Sequence, residues 1–321
     1  MAIDFRLIVF FLLILLVAGV AMVLVTAYLM ARVLLRPPRM TDGKAAWVLK
    51  RLSPGDLGLS FQSTTFEVRD ERTGHPLRLA GWWIPHPNAQ GRCVILIHGY
   101  ADAKIGAIAW APTFHSLGFN ILAIDLRAHG ESEGTFTTSG FYEQHDINQV
   151  INQLRVQRSN DTRKLVLFGA SMGGTVAAAT AVTRDDLAGV IMDSPCTGEA
   201  HVAMIHFDLM GMPGPLIQRL ALRLARWMSG ADLTAVRPLE LIQRVPCPLM
   251  IIQPTNDVYA PPEDIAAIEA AARARPADRP TVYWRVEGAN HVMGLASDAD
   301  EYRRQIADFL NHFVVQTAAD D

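Results

Sequence analysis

The sequence predicts an α/β fold: a mostly parallel central sheet with helices on both faces, preceded by one N-terminal transmembrane helix. Three observations carry that expectation. Short apolar runs recur at Cys93–Ile97, Asn120–Ile124, Lys164–Phe168, Gly189–Met192, Leu249–Ile252 and Thr281–Val286, and strands covered on both faces show such runs without polar alternation. Between them lie helical patterns: Ile147, Val150, Ile151 and Leu154 share one face, as do Ile265, Ile268 and Ala272, and Tyr302, Ile306, Phe309 and Leu310. Strands alternating with helices imply a parallel sheet covered on both sides. The third observation is the segment Leu7–Ala31, which carries no charge and is nearly all Leu, Ile, Val, Phe, Ala or Met.

A helix over that segment rises about 1.5 Å per residue and so crosses a hydrocarbon layer of roughly 30 Å. Gly19-Val20-Ala21 offers a signal-peptide cleavage site, but the apolar run continues through Tyr28-Leu29-Met30, which favours an uncleaved anchor. Arg32, Arg36, Arg39, Lys44, Lys50 and Arg51 follow it, against Arg6 before it. The positive-inside rule then places the large domain in the cytoplasm. Pro37-Pro38 ends the helix. The expected organisation is an anchor at 1–36, a connector at 37–60 with a short helix around Lys44–Leu52, and an α/β domain at 61–317.

That domain opens with an antiparallel pair, Phe66–Arg69 and Leu77–Ile84, turned at Thr73–Pro76. The alternation that follows is interrupted once. More residues lie between Met192 and Leu249 than a single crossover needs. This insertion, about 197–245, holds an apolar stretch His201–Met212, a break at Gly211–Pro215 and a helix Leu216–Met228. It reads as a helical lid, with Met204, Phe207, Leu209, Met210 and Met212 suited to an acyl chain.

Composition narrows the functional classes. The 321 residues are half hydrophobic, with 29 basic and 32 acidic side chains and a net charge of −3. Basic residues are scattered, which argues against nucleic-acid binding. Cys93, Cys196 and Cys247 are far apart, which disfavours a disulfide framework or a zinc site; buried thiols suit a reducing compartment. No cofactor or metal is implied.

The chemistry is concentrated at Gly169-Ala170-Ser171-Met172-Gly173. A G-x-S-x-G between a buried strand and a helix of small residues is a nucleophile elbow, whose turn exposes the serine oxygen. A serine needs a base and a group orienting that base. In this architecture an acid and then a histidine follow in chain order. Asp257 lies just beyond the run Leu249–Ile252, and His291 just beyond Thr281–Val286. Asp193, after Gly189–Met192, competes with Asp257 for the acid role, but Asp257 is the expected acid because the later strand is the commoner source. Two backbone amides are needed for an oxyanion hole: Met172 supplies one, and Tyr100, in His98-Gly99-Tyr100, the other. His98 and His129 read as loop supports, and His86, His115 and His312 as surface residues.

The chain resembles the α/β-hydrolase superfamily and is similar to its membrane-anchored Bem46-like branch, grouped with serine aminopeptidase-like and lysophospholipase-like hydrolases. The resemblance rests on Asp56-Leu57-Gly58-Leu59, Gly81–Pro85, His98-Gly99-Tyr100, Asp125-Leu126-Arg127-Ala128-His129-Gly130-Glu131-Ser132, Gly169–Gly174 and Asn290-His291. It implies the α/β-hydrolase fold with a helical lid insertion. Two departures stand out. Gln253-Pro254 replaces the family's His-Gly, implying an altered turn before Asp257, and Ala170 stands where many lipases carry histidine. The expected activity is hydrolysis of carboxylic esters, including lipid-like acyl esters, through a Ser-His-Asp triad. The same machinery also suits a peptidase, a thioesterase or an acyltransferase, and an inactive chain would be a membrane-tethered binding protein.

Overall fold

The apolar runs assemble into an eight-stranded sheet in a computed structural model that describes residues 5–209, 211 and 214–315. In chain order the elements are helices α1 (Phe5–Leu35) and α2 (Asp42–Val48), then strands β1 (Gln62–Arg69), β2 (Pro76–Ile84) and β3 (Arg92–Ile97). Next come α3 (Lys104–Ala107), α4 (Ala111–Ser116), β4 (Asn120–Ile124), α5 (Glu143–Gln157), β5 (Lys164–Ala170), α6 (Met172–Ala181) and β6 (Gly189–Asp193). The insertion holds α7 (Glu199–Leu209), α8 (Pro215–Ser229) and α9 (Pro238–Arg244). The chain closes with β7 (Leu249–Pro254), α10 (Pro262–Arg273), β8 (Thr281–Val286), α11 (Gly294–Ser297) and α12 (Ala299–Leu310).

Strand order is β1-β2-β4-β3-β5-β6-β7-β8. β1 and β2 pair antiparallel, β2 runs antiparallel to β4, and every later pairing is parallel. Strand β3 shows why its run has no polar member. Cys93, Ile95 and Ile97 face a core shared with Ile147, Val176, Ile242 and Ile268, from α5, α6, α9 and α10. Val94 and Leu96 face the other core, with Ile105, Phe114 and Ile306 from α3, α4 and α12. Neighbours β4 and β5 flank β3 on opposite sides. The chain therefore reverses its direction across the sheet there, and ligands of such sheets bind in the crevice beyond the strand ends at that point.

Helix α1 is long and apolar enough to cross a membrane, but it changes character along its length. From Phe5 to Val25 most of its large side chains are exposed, whereas Ala27, Met30, Ala31 and Leu35 are fully buried. Ala27 and Met30 cluster with Ala203, Phe207 and Ala221; Ala31 and Leu35 cluster with Ala225 and Leu233. Ala27 and Ala31 share one face of α1, and Ala221 and Ala225 one face of α8, since residues four apart stack on a helix. Small side chains on both faces let the two backbones approach. Helix α1 thus ends inside the folded domain, not at its border.

Three expectations are corrected. The connector helix is α2, Asp42–Val48, not Lys44–Leu52. Thr41 Oγ1 caps it by accepting from Lys44 N, while Lys50 adopts φ 54° and Asp56 draws the Leu52 and Ser53 amides into a turn. No altered turn occurs at Gln253-Pro254, because β7 continues through both residues, paired with Arg285 and Val286 of β8. The lid side chains also divide differently. Phe207 is buried against α1, Leu209 is 63% exposed, and Met204 is half-buried. Met210 and Met212 lie outside the described residues. Packing of Ala203 and Phe207 on α1 sets the rotation of α7, and composition alone cannot.

Candidate active site

Strand β5 delivers Ser171 to the carboxyl edge of the sheet. The residue adopts φ 53° and ψ −122°, and its amide donates to the Asp193 carbonyl at 2.8 Å. Two glycines make this turn possible. A Cβ on Gly169 would lie 2.1 Å from the Gly173 oxygen, and one on Gly173 would lie 2.2 Å from the Ile97 oxygen. Backbone crowding, not conformational freedom, excludes side chains at both positions. Left-handed backbone at a non-glycine residue costs on the order of 1–3 kcal/mol and persists only where its surroundings hold it.

His291 Nε2 lies 2.9 Å from Ser171 Oγ, and its Nδ1 lies 2.7 Å from Asp257 Oδ2. The other Asp257 oxygen accepts from the Tyr259 amide at 2.9 Å. The imidazole is half-buried and the Asp257 carboxylate is shielded from solvent. A carboxylate there selects the tautomer with hydrogen on Nδ1, leaving Nε2 free to accept from the serine. Asp193 does not bond the imidazole. Its carboxylate accepts from Ser194 Oγ at 2.7 Å and from the Tyr302 hydroxyl, which in turn accepts from Trp110 Nε1 at 2.9 Å. Ser194 Oγ also accepts from the Val292 amide at 2.9 Å. Val292 sits at φ 59°, an outlier for a β-branched residue. Asp193 thus secures the loop carrying His291. Burial raises the Asp193 carboxyl above its usual range, and burial together with the Asp193 charge pushes the Tyr302 phenol well up.

The loop after β3 brings Tyr100 to the same cavity as Ser171. A Cβ on Gly99 would stand 3.3 Å from Ser171 Cβ, so this loop passes close over the serine. Two buried imidazoles shape it. His98 Nε2 accepts from the Leu126 amide at 3.0 Å while Nδ1 faces the Gly99 carbonyl at 2.7 Å. His129 Nε2 accepts from the Ala101 amide at 3.3 Å while Nδ1 faces the Arg127 carbonyl at 2.9 Å. Both rings are therefore neutral with hydrogen on Nδ1. Burial holds His98 down to about 4 and His129 to about 3. The stretch Asp125–Ser132 is a clamp for these loops. Asp125 accepts from Lys104 N, Lys104 Nζ and Glu131 N, and Arg127 grips Asp146 with two bonds of 2.6 Å. Met172 opens α6 beside the serine.

The cavity holds about 560 Å³, and its apolar walls include Val33, Leu34, Ala203, Phe207 and Leu233. A second hollow, about 500 Å³ between β8 and α12 at Val282, Gln305 and His312, contains none of the residues above. Among the described residues no group of three or more His, Cys, Asp or Glu side chains could hold a metal ion. All three cysteines are buried, and burial raises the Cys93 and Cys247 thiols. His312 is exposed, whereas His86 and His115 are half-buried.

Sequence reasoning missed Ser194, Tyr302 and Trp110, whose bonds span the sheet and leave no local signal. It also missed Val33 and Leu34, which follow the apolar run Leu7–Ala31 within the segment read as the anchor.

This sheet order, elbow and insertion define an α/β-hydrolase, and residues 88–246 match the family model described as serine aminopeptidase, S33. The chain has the α/β-hydrolase fold and is similar in sequence to the serine hydrolases of that family model. Among its relatives, the Bacillus subtilis protein YqkD is 26% identical over 230 residues, 70% of this chain and 73% of that protein. Escherichia coli (strain K12) YfhR is 25% identical over 262 residues, covering 78% and 81%. Among solved structures, an esterase from Pyrococcus furiosus superposes with a TM-score of 0.67 at 22% identity, covering 87% of this chain and all (100%) of the other. Est1E from Butyrivibrio proteoclasticus, solved with ferulic acid bound, gives 0.57 at 18% identity, covering 77% and 98%.

Proposed function

We propose that this chain is a membrane-anchored serine esterase in which Ser171 is the nucleophile, His291 the base and Asp257 the orienting acid. The reading rests on one observation above all: the Asp257–His291–Ser171 relay, with bonds of 2.7 and 2.9 Å, closes on a serine held in a strained turn. Ser171 Oγ attacks the acyl carbon while His291 Nε2 takes its proton. The carbonyl oxygen becomes an oxyanion between the amides of Tyr100 and Met172. Collapse expels the alcohol, which leaves with the proton from His291. Water then attacks the acyl-enzyme, giving its proton to His291, and the acid departs as Ser171 is reprotonated. Each oxyanion donor contributes about 10²–10³ in turnover.

Helix α1 tethers the enzyme, with its catalytic domain on the cytoplasmic side. The match to the serine aminopeptidase model favours peptide cleavage as the second reading. Fluorophosphonate labelling of membranes bearing the native protein or Ser171→Ala tests the mechanism. Labelling of the native protein alone is the expected outcome; a folded native protein that stays unlabelled would overturn it in favour of a tethered binding protein. Parallel ester, thioester and peptide panels separate the substrate classes.

A further inference from the structure

The last turn of α1 is built into the cavity over Ser171. Val33 and Leu34 line that cavity together with Ser171 and His291, and Pro38 follows them. Val33 remains 45% exposed while Ala31 and Leu35, two residues to either side, are fully buried, and it faces the cavity, not the packed face of α1. The carbonyls of a helix's last turn have no partner within the helix. Here the Tyr100 hydroxyl donates to the Val33 carbonyl, and the Thr137 amide donates to the Leu35 carbonyl at 2.9 Å. Tyr100 belongs to the loop that passes over the serine. The membrane helix is therefore keyed to the reaction centre at the residue that forms the wall.

Other walls are apolar too: Ala203 and Phe207 of α7, and Leu233 beyond α8. The lid exposes Leu209, Leu216 and Trp227 outward, with Arg219 and Arg223 exposed on α8, a composition suited to the headgroup layer. The apolar surface of α1 from Phe5 to Val25 leads up to this wall. A hydrocarbon chain following α1 out of the bilayer reaches the cavity over an apolar surface, and burial of each methylene favours that path over water.

We infer that the last turn of the membrane helix, at Val33 and Leu34, is a wall of the acyl pocket, and that the substrate is a long, single-chain acyl ester drawn from the bilayer that α1 crosses. The inference rests on the esterase reading for its reaction, though not for the pocket itself.

The full chain reconstituted in phosphatidylcholine vesicles tests it, with p-nitrophenyl dodecanoate and p-nitrophenyl acetate as probes. Val33→Trp fills the cavity, and Val33→Ala keeps it open. The expected result is a fall of about tenfold or more in the dodecanoate-to-acetate ratio of kcat/KM for Val33→Trp, because pocket contacts of this size discriminate by such factors. Val33→Ala should keep the native ratio within about threefold. A ratio that Val33→Trp leaves unchanged, on an enzyme that hydrolyses both esters, overturns the wall. Binding of dodecanoate by Ser171→Ala, with and without Val33→Trp, reads the pocket without catalysis. Loss of binding on Val33→Trp supports the inference even if neither ester is cleaved, an outcome that would sink the esterase reading alone. Equal binding by both proteins overturns it.

Discussion

The sheet rim that carries Ser171 and His291 differs in construction from the roof that α1, α7 and α8 form above it. On the rim, polar side chains are buried and partnered, from His98 and His129 to Asp193, Ser194 and Tyr302. Several of its residues, Ala101, Ala128, Ser171, Ser194 and Val292, hold positive φ. The roof is joined through apolar clusters of alanine, leucine, methionine and phenylalanine. Directional bonds hold atoms to within tenths of an ångström, as a proton relay needs. Apolar contacts specify volume and tolerate exchange of similar shapes. In the proposed function, this contrast corresponds to chemistry on the rim and substrate choice in the roof.

The strongest way to break the rim is Gly173→Ala. Its Cβ would meet backbone oxygens of Ile97 and His98 at 2.2 and 2.6 Å, so neither a rotamer change nor a neighbouring side chain can relieve the clash. Thermal unfolding should show a loss of at least about 4 kcal/mol, in the range that marks a broken backbone requirement; a variant with native stability would refute the crowding argument. Ser194→Ala is a milder break. It strips a partner from the Val292 amide and from one Asp193 oxygen, at about 1–3 kcal/mol, and frees the His291 loop. Because Ser194 positions His291 and touches no substrate, kcat should fall about tenfold or more with KM little changed. A rise in KM at constant kcat would place the effect in binding instead.

The roof should answer differently. Ala221→Leu inserts a branched side chain where α8 packs on α1. Overpacking of this kind costs about 1–3 kcal/mol. The expected kinetic signature is a higher KM for dodecanoate esters, with kcat/KM for acetate within about threefold of native. Equal losses on both esters would show that roof and rim are one mechanical unit.

How much was legible depended on the range of the interaction. The buried strands could be read because a strand covered on both faces has an apolar residue at every position, as in β3 and β4. The elbow was legible because its G-x-S-x-G spacing is local, as is the crowding of Gly169 against Gly173, although Gly173 itself is crowded by Ile97 and His98 of the neighbouring strand and loop. Chain order marked out Asp257 and His291, since each lies in the loop just beyond a strand end on the rim. It favoured Asp257 over Asp193, which itself ends a strand, only because the later strand is the commoner source of the acid. Only the fold points the Asp193 carboxylate to Tyr302 and Ser194, and that of Asp257 to His291.

The amino-acid sequence by itself determined the α/β alternation, the turn that exposes Ser171 and an N-terminal helix apolar enough for a bilayer. Each of these follows from the periodicity or sterics of neighbouring residues. Tertiary structure alone decided which acid meets the imidazole, which lid side chains line the cavity, and that Val33 and Leu34 belong to its wall. Those outcomes depend on how whole helices rotate and dock against one another. Contacts such as Ala27 with Ala221, distant in sequence and weak one by one, set that rotation together.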